Sequence, residues 1–148
     1  MSSTRSSLLF LMLLLSGCAN ASSWVELGGQ RYKVEVADDD AERARGLMFR
    51  DQLAPGTGMI FLHDREEPQA YWMKNTKIAL DILYFDSARK LVAQQRDVPP
   101  CSAGNACPPY PSNAPARYVL ELNAGEAAKL KLKNGAELKF SKDIPVLP

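Results

Sequence analysis

The sequence predicts an α+β protein: a single small domain built on a predominantly antiparallel, curved or barrel-like β-sheet with two short helices. Three observations support this prediction. Strand-like apolar segments, separated by turn residues, outnumber helical segments. A parallel, doubly wound sheet would need a helix between most strands, and the chain offers only two. Without a predicted leader at residues 1–17, 131 of the 148 residues remain, which suits one core.

The chain begins with a predicted lipoprotein signal peptide. Arg5 supplies a positive charge, and the apolar run Leu8–Leu15 is too short to span a bilayer. The segment Leu15-Ser16-Gly17-Cys18 matches a lipobox, so we expect cleavage before Cys18, acylation of that cysteine and attachment to a membrane.

This leader sets the expected location of the protein. Residues 18–23 would form a tether, and residues 24–148 the folded domain. Ala19, by analogy with other lipoproteins, favours the periplasmic face of the outer membrane. The alternative is cleavage at Ala19-Asn20-Ala21, a site of the A-x-A type, which would release a soluble periplasmic or secreted protein.

The first half of the domain is predicted to contain a hairpin, a helix and a buried strand. Gly28-Gly29 separates two strand-like segments, at 24–27 and 31–36. Asp38-Asp39-Asp40 supplies an N-cap and first-turn acids for a helix over 41–48, in which Ala44 and Met48 would face the core. The segment 59–62 follows a turn and is apolar on both faces, as expected of a buried strand.

The second half is predicted to add strands, a loop and a second helix. A polar loop at 64–69 precedes strands at 70–75, 80–85 and 91–98, and a turn at 86–89 joins the last two. Six of the ten prolines lie within 99–115, so we expect a loop there. A short helix at 124–130 is then flanked by strands at 117–122 and 136–140.

Charge and cysteine content restrict the possible partners. Once Arg5 is removed, 17 basic residues balance 17 acidic ones, so we expect no nucleic-acid partner. Outside the cytoplasm, Cys101 and Cys107 should form a structural disulfide, because a redox pair would need C-x-x-C spacing. These two cysteines and the single His63 do not complete a zinc site, and we expect no metal and no cofactor.

Three motifs carry a resemblance to a known family. They are Arg45-Gly46-Leu47-Met48-Phe49-Arg50, then Gly58-Met59-Ile60-Phe61, then Trp72-Met73-Lys74-Asn75-Thr76 followed by Leu80-Asp81. The chain resembles the bacterial and archaeal family DUF192, also called UPF0127, whose members share these motifs. The resemblance implies a small α+β domain with one curved sheet and implies no established activity. One departure is Ile78-Ala79-Leu80, where the family pattern has Ile-Pro-Leu.

The positions that match the family motifs form a candidate ligand-binding site. Its members are Arg45, Trp72, Lys74, Asn75 and Asp81, with Phe49 or Phe61. An aromatic wall beside a cation, an amide and a carboxylate suits a small polar ligand such as a sugar, an amino acid or an oxyanion. The competing interpretation is structural. Trp72 would then be a core residue, and Asp81 would be buried in an ion pair with Arg45, Lys74 or Arg50.

Two functions remain open from the sequence. The favoured one is a noncatalytic envelope lipoprotein that binds a small ligand or a partner protein through the face carrying Trp72, Lys74 and Asp81. The alternative is a hydrolase or transferase acting on a cell-envelope glycan or peptide. In that case Asp81 or Glu121 would serve as general base, with Arg45 or Lys74 stabilising an oxyanion. No nucleophile motif accompanies His63, so no catalytic residue is assigned.

Overall fold

The computed structural model describes residues 22–146. The predicted signal peptide, its cleavage site and Cys18 therefore lie outside the described residues. The helices and strands are β1 (Trp24–Leu27), β2 (Gln30–Ala37), α1 (Asp40–Arg45), β3 (Thr57–Trp72), β4 (Leu80–Phe85), β5 (Leu91–Val98), β6 (Pro109–Asn123), α2 (Glu126–Lys129) and β7 (Leu138–Phe140), with one 3-10 turn at Gly104–Ala106. No helix within 22–146 is long and apolar enough to cross a bilayer.

The strands form one curled, mixed sheet in the order β5-β4-β6-β3-β2-β1-β7. All strand pairs are antiparallel except β2 with β3, which is parallel. The two edges of the sheet approach each other at a bridge between Lys90 and Glu137. The predicted α+β class, with a curved sheet and two short helices in one small domain, is confirmed.

The sheet buries apolar side chains on both of its faces. The inner core, within the curl, includes Val25, Leu27, Leu62, Leu83, Phe85, Leu120, Leu122 and Ala127. The outer core, on the opposite face, includes Leu47, Met59, Phe61, Met73, Ile82, Tyr84 and Val119. Because successive side chains of a strand point to opposite faces, β3, β4 and β6 each contribute to both cores.

The strands β3 and β6 are longer than the sequence predicts. They pair from Gly58 opposite Leu122 to Trp72 opposite Pro109, with register shifts after Leu62 and after Pro68. The prediction of a polar loop at 64–69 is wrong, because these residues belong to β3. The prediction of a loop over 99–115 is wrong from residue 109 onward, where β6 begins. Prolines are tolerated because this part of β6 pairs with β3 alone, and an edge strand needs no N–H donors on its free side.

Both helices are shorter than predicted. The N-cap of α1 is confirmed, since the Asp39 carboxylate accepts a hydrogen bond of 2.8 Å from the Glu42 N–H. The helix ends at Arg45 because Gly46 takes a φ of 46°, which favours glycine. The prediction that Ala44 faces the core is wrong: Ala44 is exposed, and Leu47, in the turn after the helix, is buried instead.

Gly58 allows β3 and β6 to approach closely. A Cβ atom there would lie 2.6 Å from the Glu121 carbonyl oxygen and 2.7 Å from a Leu122 methyl carbon. We therefore expect Gly58→Ala to lower the free energy of unfolding by about 3 kcal/mol, because the strands must separate. The control is Gly29→Ala, where no atom lies within 4 Å and the φ of 81° alone costs about 1–2 kcal/mol. Chemical denaturation measures both variants, and a smaller loss for Gly58→Ala would contradict the prediction.

Candidate functional site

Asp81 is fully buried and hydrogen-bonded to the backbone. It projects from β4 toward the inner core, with an exposed fraction of 0%. One carboxylate oxygen accepts the Asp97 N–H at 2.9 Å, and the other accepts the Ala127 N–H at 2.7 Å. The predicted ion pair with Arg45, Lys74 or Arg50 is therefore wrong, because backbone amides satisfy this carboxylate instead.

The two amides that contact Asp81 belong to two irregular points of the chain. Between the pairs Leu80–Val98 and Ile82–Gln95, β5 has an extra residue, and Asp97 there takes a φ of 50°. The helix α2 starts after Gly125, which has no side chain to cap it. Asp81 supplies that cap from the neighbouring strand, so one carboxylate holds both a β-bulge and a helix start.

The other predicted site residues lie away from Asp81, near the outer core. Trp72 is 43% exposed, and the Lys74 ammonium lies 4.8 Å from the centroid of its ring. Lys74 also donates a hydrogen bond of 2.6 Å to the Asn105 side chain. Arg45 and Trp72 line one small pocket, whereas Asn75 lines a neighbouring groove. The structure thus brings together four of the five residues and separates Asp81 from them.

The small pocket contains the side chain of Glu121. We define the Glu121 pocket as a cavity of about 30 Å³, enough for one water molecule or one ligand group. Its walls are formed by the end of α1 and the outer face of the sheet: Arg43, Ala44, Arg45, Gly46, Leu47, Met48, Phe61, Tyr71, Trp72 and Thr76. Glu121 belongs to β6 and points to the face opposite that of Asp81, since it pairs with Ile82 and not with Asp81.

Glu121 is buried without a partner. Its exposed fraction is 4%, and among residues 22–146 no hydrogen bond or ion pair reaches its carboxyl group. In the described part of the chain, no side-chain oxygen or nitrogen is both completely enclosed and without a partner. The Glu121 oxygens are therefore not completely enclosed, and Glu121 lines the pocket. Burial alone raises the pKa of Glu121 to about 8. At pH 7 the group is therefore mostly neutral.

The two arginines that border the pocket differ in their contacts. Arg43 donates hydrogen bonds to the carbonyl oxygens of Asp38 and Leu62 and forms an ion pair of 2.6 Å with Asp40. Arg45 is exposed and has no hydrogen-bond or ion-pair partner within the described range. Arg45 also lines a separate groove with Glu35 and Glu42, but it forms an ion pair with neither of them.

Three larger grooves adjoin the Glu121 pocket, and the smallest of them, of about 150 Å³, shares Arg45 and Gly46 with it. The Trp72 groove, of about 360 Å³, shares Arg43, Ala44, Tyr71 and Trp72 with the pocket and adds Asp40, His63, Gln69 and Ala70. The disulfide groove, of about 440 Å³, meets the pocket at Thr76 and is lined by Phe49, Asn75, Lys77, Pro100, Cys101 and Ser102. The last two volumes are typical of small-molecule sites.

The family motifs build this pocket jointly. Gly46 ends α1 where the Phe61 ring would lie 3.3 Å from a Cβ atom, so only glycine fits without displacement. The N–H of Phe49 then donates to the Asn75 carbonyl at 2.8 Å, which ties the first motif to the third. Leu47 enters the outer core between them.

The disulfide predicted between Cys101 and Cys107 is present, with the two Cα atoms 5.9 Å apart. The backbone of Cys101 also forms isolated β-bridges with Lys74 and Thr76. The disulfide therefore fixes the loop that contains it against the third motif. His63, placed beyond a strand by the sequence, belongs to β3 and lies 2.9 Å from the Tyr71 hydroxyl. Burial lowers the pKa of His63. Over residues 22–146, no group of three or more His, Cys, Asp or Glu side chains is arranged to hold a metal ion.

The sequence predicts Glu121 only as a possible general base and does not predict the pocket around it. The available signal is one acid within an apolar run, Tyr118–Leu122, a pattern that Asp81 also shows within Leu80–Phe85. Gln69 was missed because residues 64–69 were expected in a loop, and Tyr71 was not singled out although it lies in the strand predicted at 70–75. Nothing in the local sequence brings α1 beside the far half of β3.

The role of Asp81 predicts the effect of replacing it. An asparagine can accept only one of the two N–H groups and directs its own NH₂ at the other. We expect Asp81→Asn to lower the free energy of unfolding by about 2–3 kcal/mol in chemical denaturation. The control is Asp64→Asn, at an exposed position of β3 without such contacts. If the two variants were equally stable, the proposed role of Asp81 would be refuted.

Comparison with known proteins supports the family resemblance. The family model DUF192, described as "Uncharacterized ACR", matches residues 23–140. A structure described as a "putative transcription regulator (R01717)" from Sinorhizobium meliloti 1021 is 35% identical, with a TM-score of 0.73, over 81% of this chain and 94% of that one. A protein of unknown function from Novosphingobium aromaticivorans DSM 12444 is 31% identical, with a TM-score of 0.72, over 93% and 99%.

No match was found among curated proteins. The family match includes every strand and helix from β1 to β7, together with all three motifs and the Glu121 pocket that they build. The chain belongs to the DUF192 family.

Proposed function

We propose that this protein is a noncatalytic domain that binds a small polar ligand in the Glu121 pocket and the Trp72 groove. The observation that carries this proposal is the carboxyl group of Glu121, which is buried beside a pocket and has no partner among the residues that the structure describes. Burying a polar group without a hydrogen bond costs on the order of 1–3 kcal/mol. A ligand group that bonds to Glu121 would offset this cost.

The surroundings of Glu121 suit such a ligand. The pocket admits a single polar group, and the adjoining groove is large enough for the rest of a small molecule. The half-exposed ring of Trp72 offers a flat apolar surface, while Gln69 and Asp40 offer polar contacts at the rim. Of the residues proposed from the sequence, Arg45, Trp72, Lys74 and Asn75 lie around this region, whereas Asp81 acts as a structural residue.

A second function is favoured by one observation. A carboxyl group with a pKa of about 8 in a pocket is suited to general acid–base catalysis near neutral pH. The protein would then be a hydrolase or transferase that acts on a cell-envelope glycan or peptide. Asp81 cannot be the second carboxylate of such a site, because it is enclosed on the opposite face of the sheet. Release of products from purified cell-wall fragments, abolished by Glu121→Gln, would favour this function.

We also propose that the domain is anchored to the cell envelope through a lipid on Cys18, at the periplasmic face of the outer membrane. The lipobox supports this proposal, and the disulfide agrees with an oxidising compartment. A soluble periplasmic or secreted form is the alternative. A role on nucleic acid, which the description of the Sinorhizobium protein would suggest, finds no support in the balanced charge of the chain.

The anchor predicts where a Cys18→Ser variant is found. Without the thiol no acyl chain can be attached, so the protein should move from the membrane fraction to the soluble fraction of its host. Cell fractionation and mass spectrometry of the N-terminal peptide measure both the location and the lipid. A Cys101→Ser/Cys107→Ser double variant should keep the membrane attachment. A wild-type chain that starts after Ala21, without lipid, would disprove the anchor.

The ligand site predicts an additional mass on the native protein. Full-length protein, gently extracted from its own host, should carry a reproducible small ligand in native mass spectrometry. Trp72→Ala should lose that mass while remaining folded by circular dichroism, because the ligand loses its aromatic contact. The matched control Trp24→Ala changes the same residue type in β1, far along the sheet, and should retain the ligand. Wild-type protein without any bound mass would argue against a small ligand and for a partner protein.

A further inference from the structure

We propose that the ligand of this site is a small carboxylate or a related oxyanion, and that Glu121 binds it in the protonated form by donating a hydrogen bond to an anionic oxygen. This inference rests on the proposed ligand site and specifies its chemistry. The pocket has room for one ligand group. Glu121 lines it, and the oxygens of its carboxyl group are not completely enclosed by protein. A hydrogen bond from a neutral acid to an oxyanion is short and strong.

The charge around the pocket favours an anion. Arg43 and Asp40 compensate each other, since they form an ion pair. Arg45 has no partner within the described part of the chain, and Glu121 carries no negative charge while it is protonated. The groups that line the pocket itself therefore carry a net positive charge at neutral pH, and Glu42, which lines a separate groove with Arg45, lies outside the pocket. An ammonium group would be repelled by Arg45 and would first have to ionise Glu121.

The other groups facing Glu121 do not change their charge when Glu121 does. From β3 and β4, Tyr71 and Tyr84 approach the carboxyl group, and burial raises the pKa of each well above 10. In the groove, burial lowers the pKa of His63, so this ring is neutral above pH 7. Arg43 and Arg45 stay positive throughout. Between pH 7 and pH 9.5, Glu121 is thus the pocket group that loses its proton.

The experiment uses acetate as a probe, with acetamide as the neutral and methylammonium as the cationic counterpart. Saturable shifts of the Trp72 indole signal in NMR titrations report binding to the full domain. We expect acetate to bind best at pH 7 and roughly thirtyfold more weakly at pH 9.5, because a pKa of about 8 leaves little protonated Glu121 at the higher pH. Methylammonium should not bind at either pH.

Two variants separate the protonated acid from its charged form. Glu121→Gln offers an amide N–H donor at every pH, so it should bind acetate at both pH values with little change between them. Glu121→Ala should lose binding. If methylammonium binds and tightens as the pH rises, or if Glu121→Gln abolishes acetate binding while folded, the inference is overturned. Absence of saturable acetate binding to wild type at pH 7 also overturns it, although a ligand mass on host-purified protein would still support the ligand site.

Denaturation provides a second, independent readout. The folded-state pKa of Glu121, about 8, lies above its ordinary value of 4.5, so the native state holds an extra proton between these values. The free energy of unfolding of the wild type therefore decreases as the pH rises from about 4.5 through 8. Glu121→Gln lacks this decrease, so its stability relative to wild type should increase over that range and level off above it.

A control substitution should show the opposite trend. Lys90 lowers the pKa of Glu137, so Glu137→Gln should lose stability relative to wild type as the pH rises through the acid range. A pH-independent difference between Glu121→Gln and wild type would show that Glu121 is not held neutral, and this result would also overturn the inference.

Discussion

The close pairing of β3 with β6 is the contact on which both cores depend. The two strands lie at the centre of the sheet, with β2 attached to one and β4 to the other. Along β6, Leu120 and Leu122 enter the inner core, whereas Val119 and Glu121 point to the outer face. The missing side chain at Gly58 lets the backbones meet at this point. A shift of one residue in this pair would exchange the contents of the two faces.

Asp81 and Glu121 show how one sequence signal leads to two different roles. Each is a single acid within an apolar strand, and each is almost completely buried. Asp81 receives two backbone N–H groups, which keep a carboxylate satisfied inside the protein. Glu121 receives none from residues 22–146, and the pocket beside it has room for a partner. The difference lies in which backbone amides reach each side chain, not in the strands themselves.

Local patterns predicted those parts of the fold that depend on local physics. The strands at 80–85 and 91–98, the Asp39 cap and the turn at 86–89 follow from periodicity and turn residues. The extension of β3 through polar residues depends instead on β6, which is distant in sequence. The same limit applies to the site: Trp72 and Arg45 could be named from the family motifs, but the amides around Asp81 meet only after α2 and β5 have packed.

The prolines in the part of β6 that pairs with β3 alone affect how the protein can associate with other chains. An uncovered strand edge normally exposes N–H and carbonyl groups that another chain can pair with. Pro109, Pro111 and Pro115 contribute no N–H groups to that edge. The carbonyl oxygens of Tyr110 and Pro111 already accept hydrogen bonds from the side chains of Tyr84 and Gln95. The rim of the Trp72 groove can thus extend beyond the sheet without becoming a template for intermolecular β-structure.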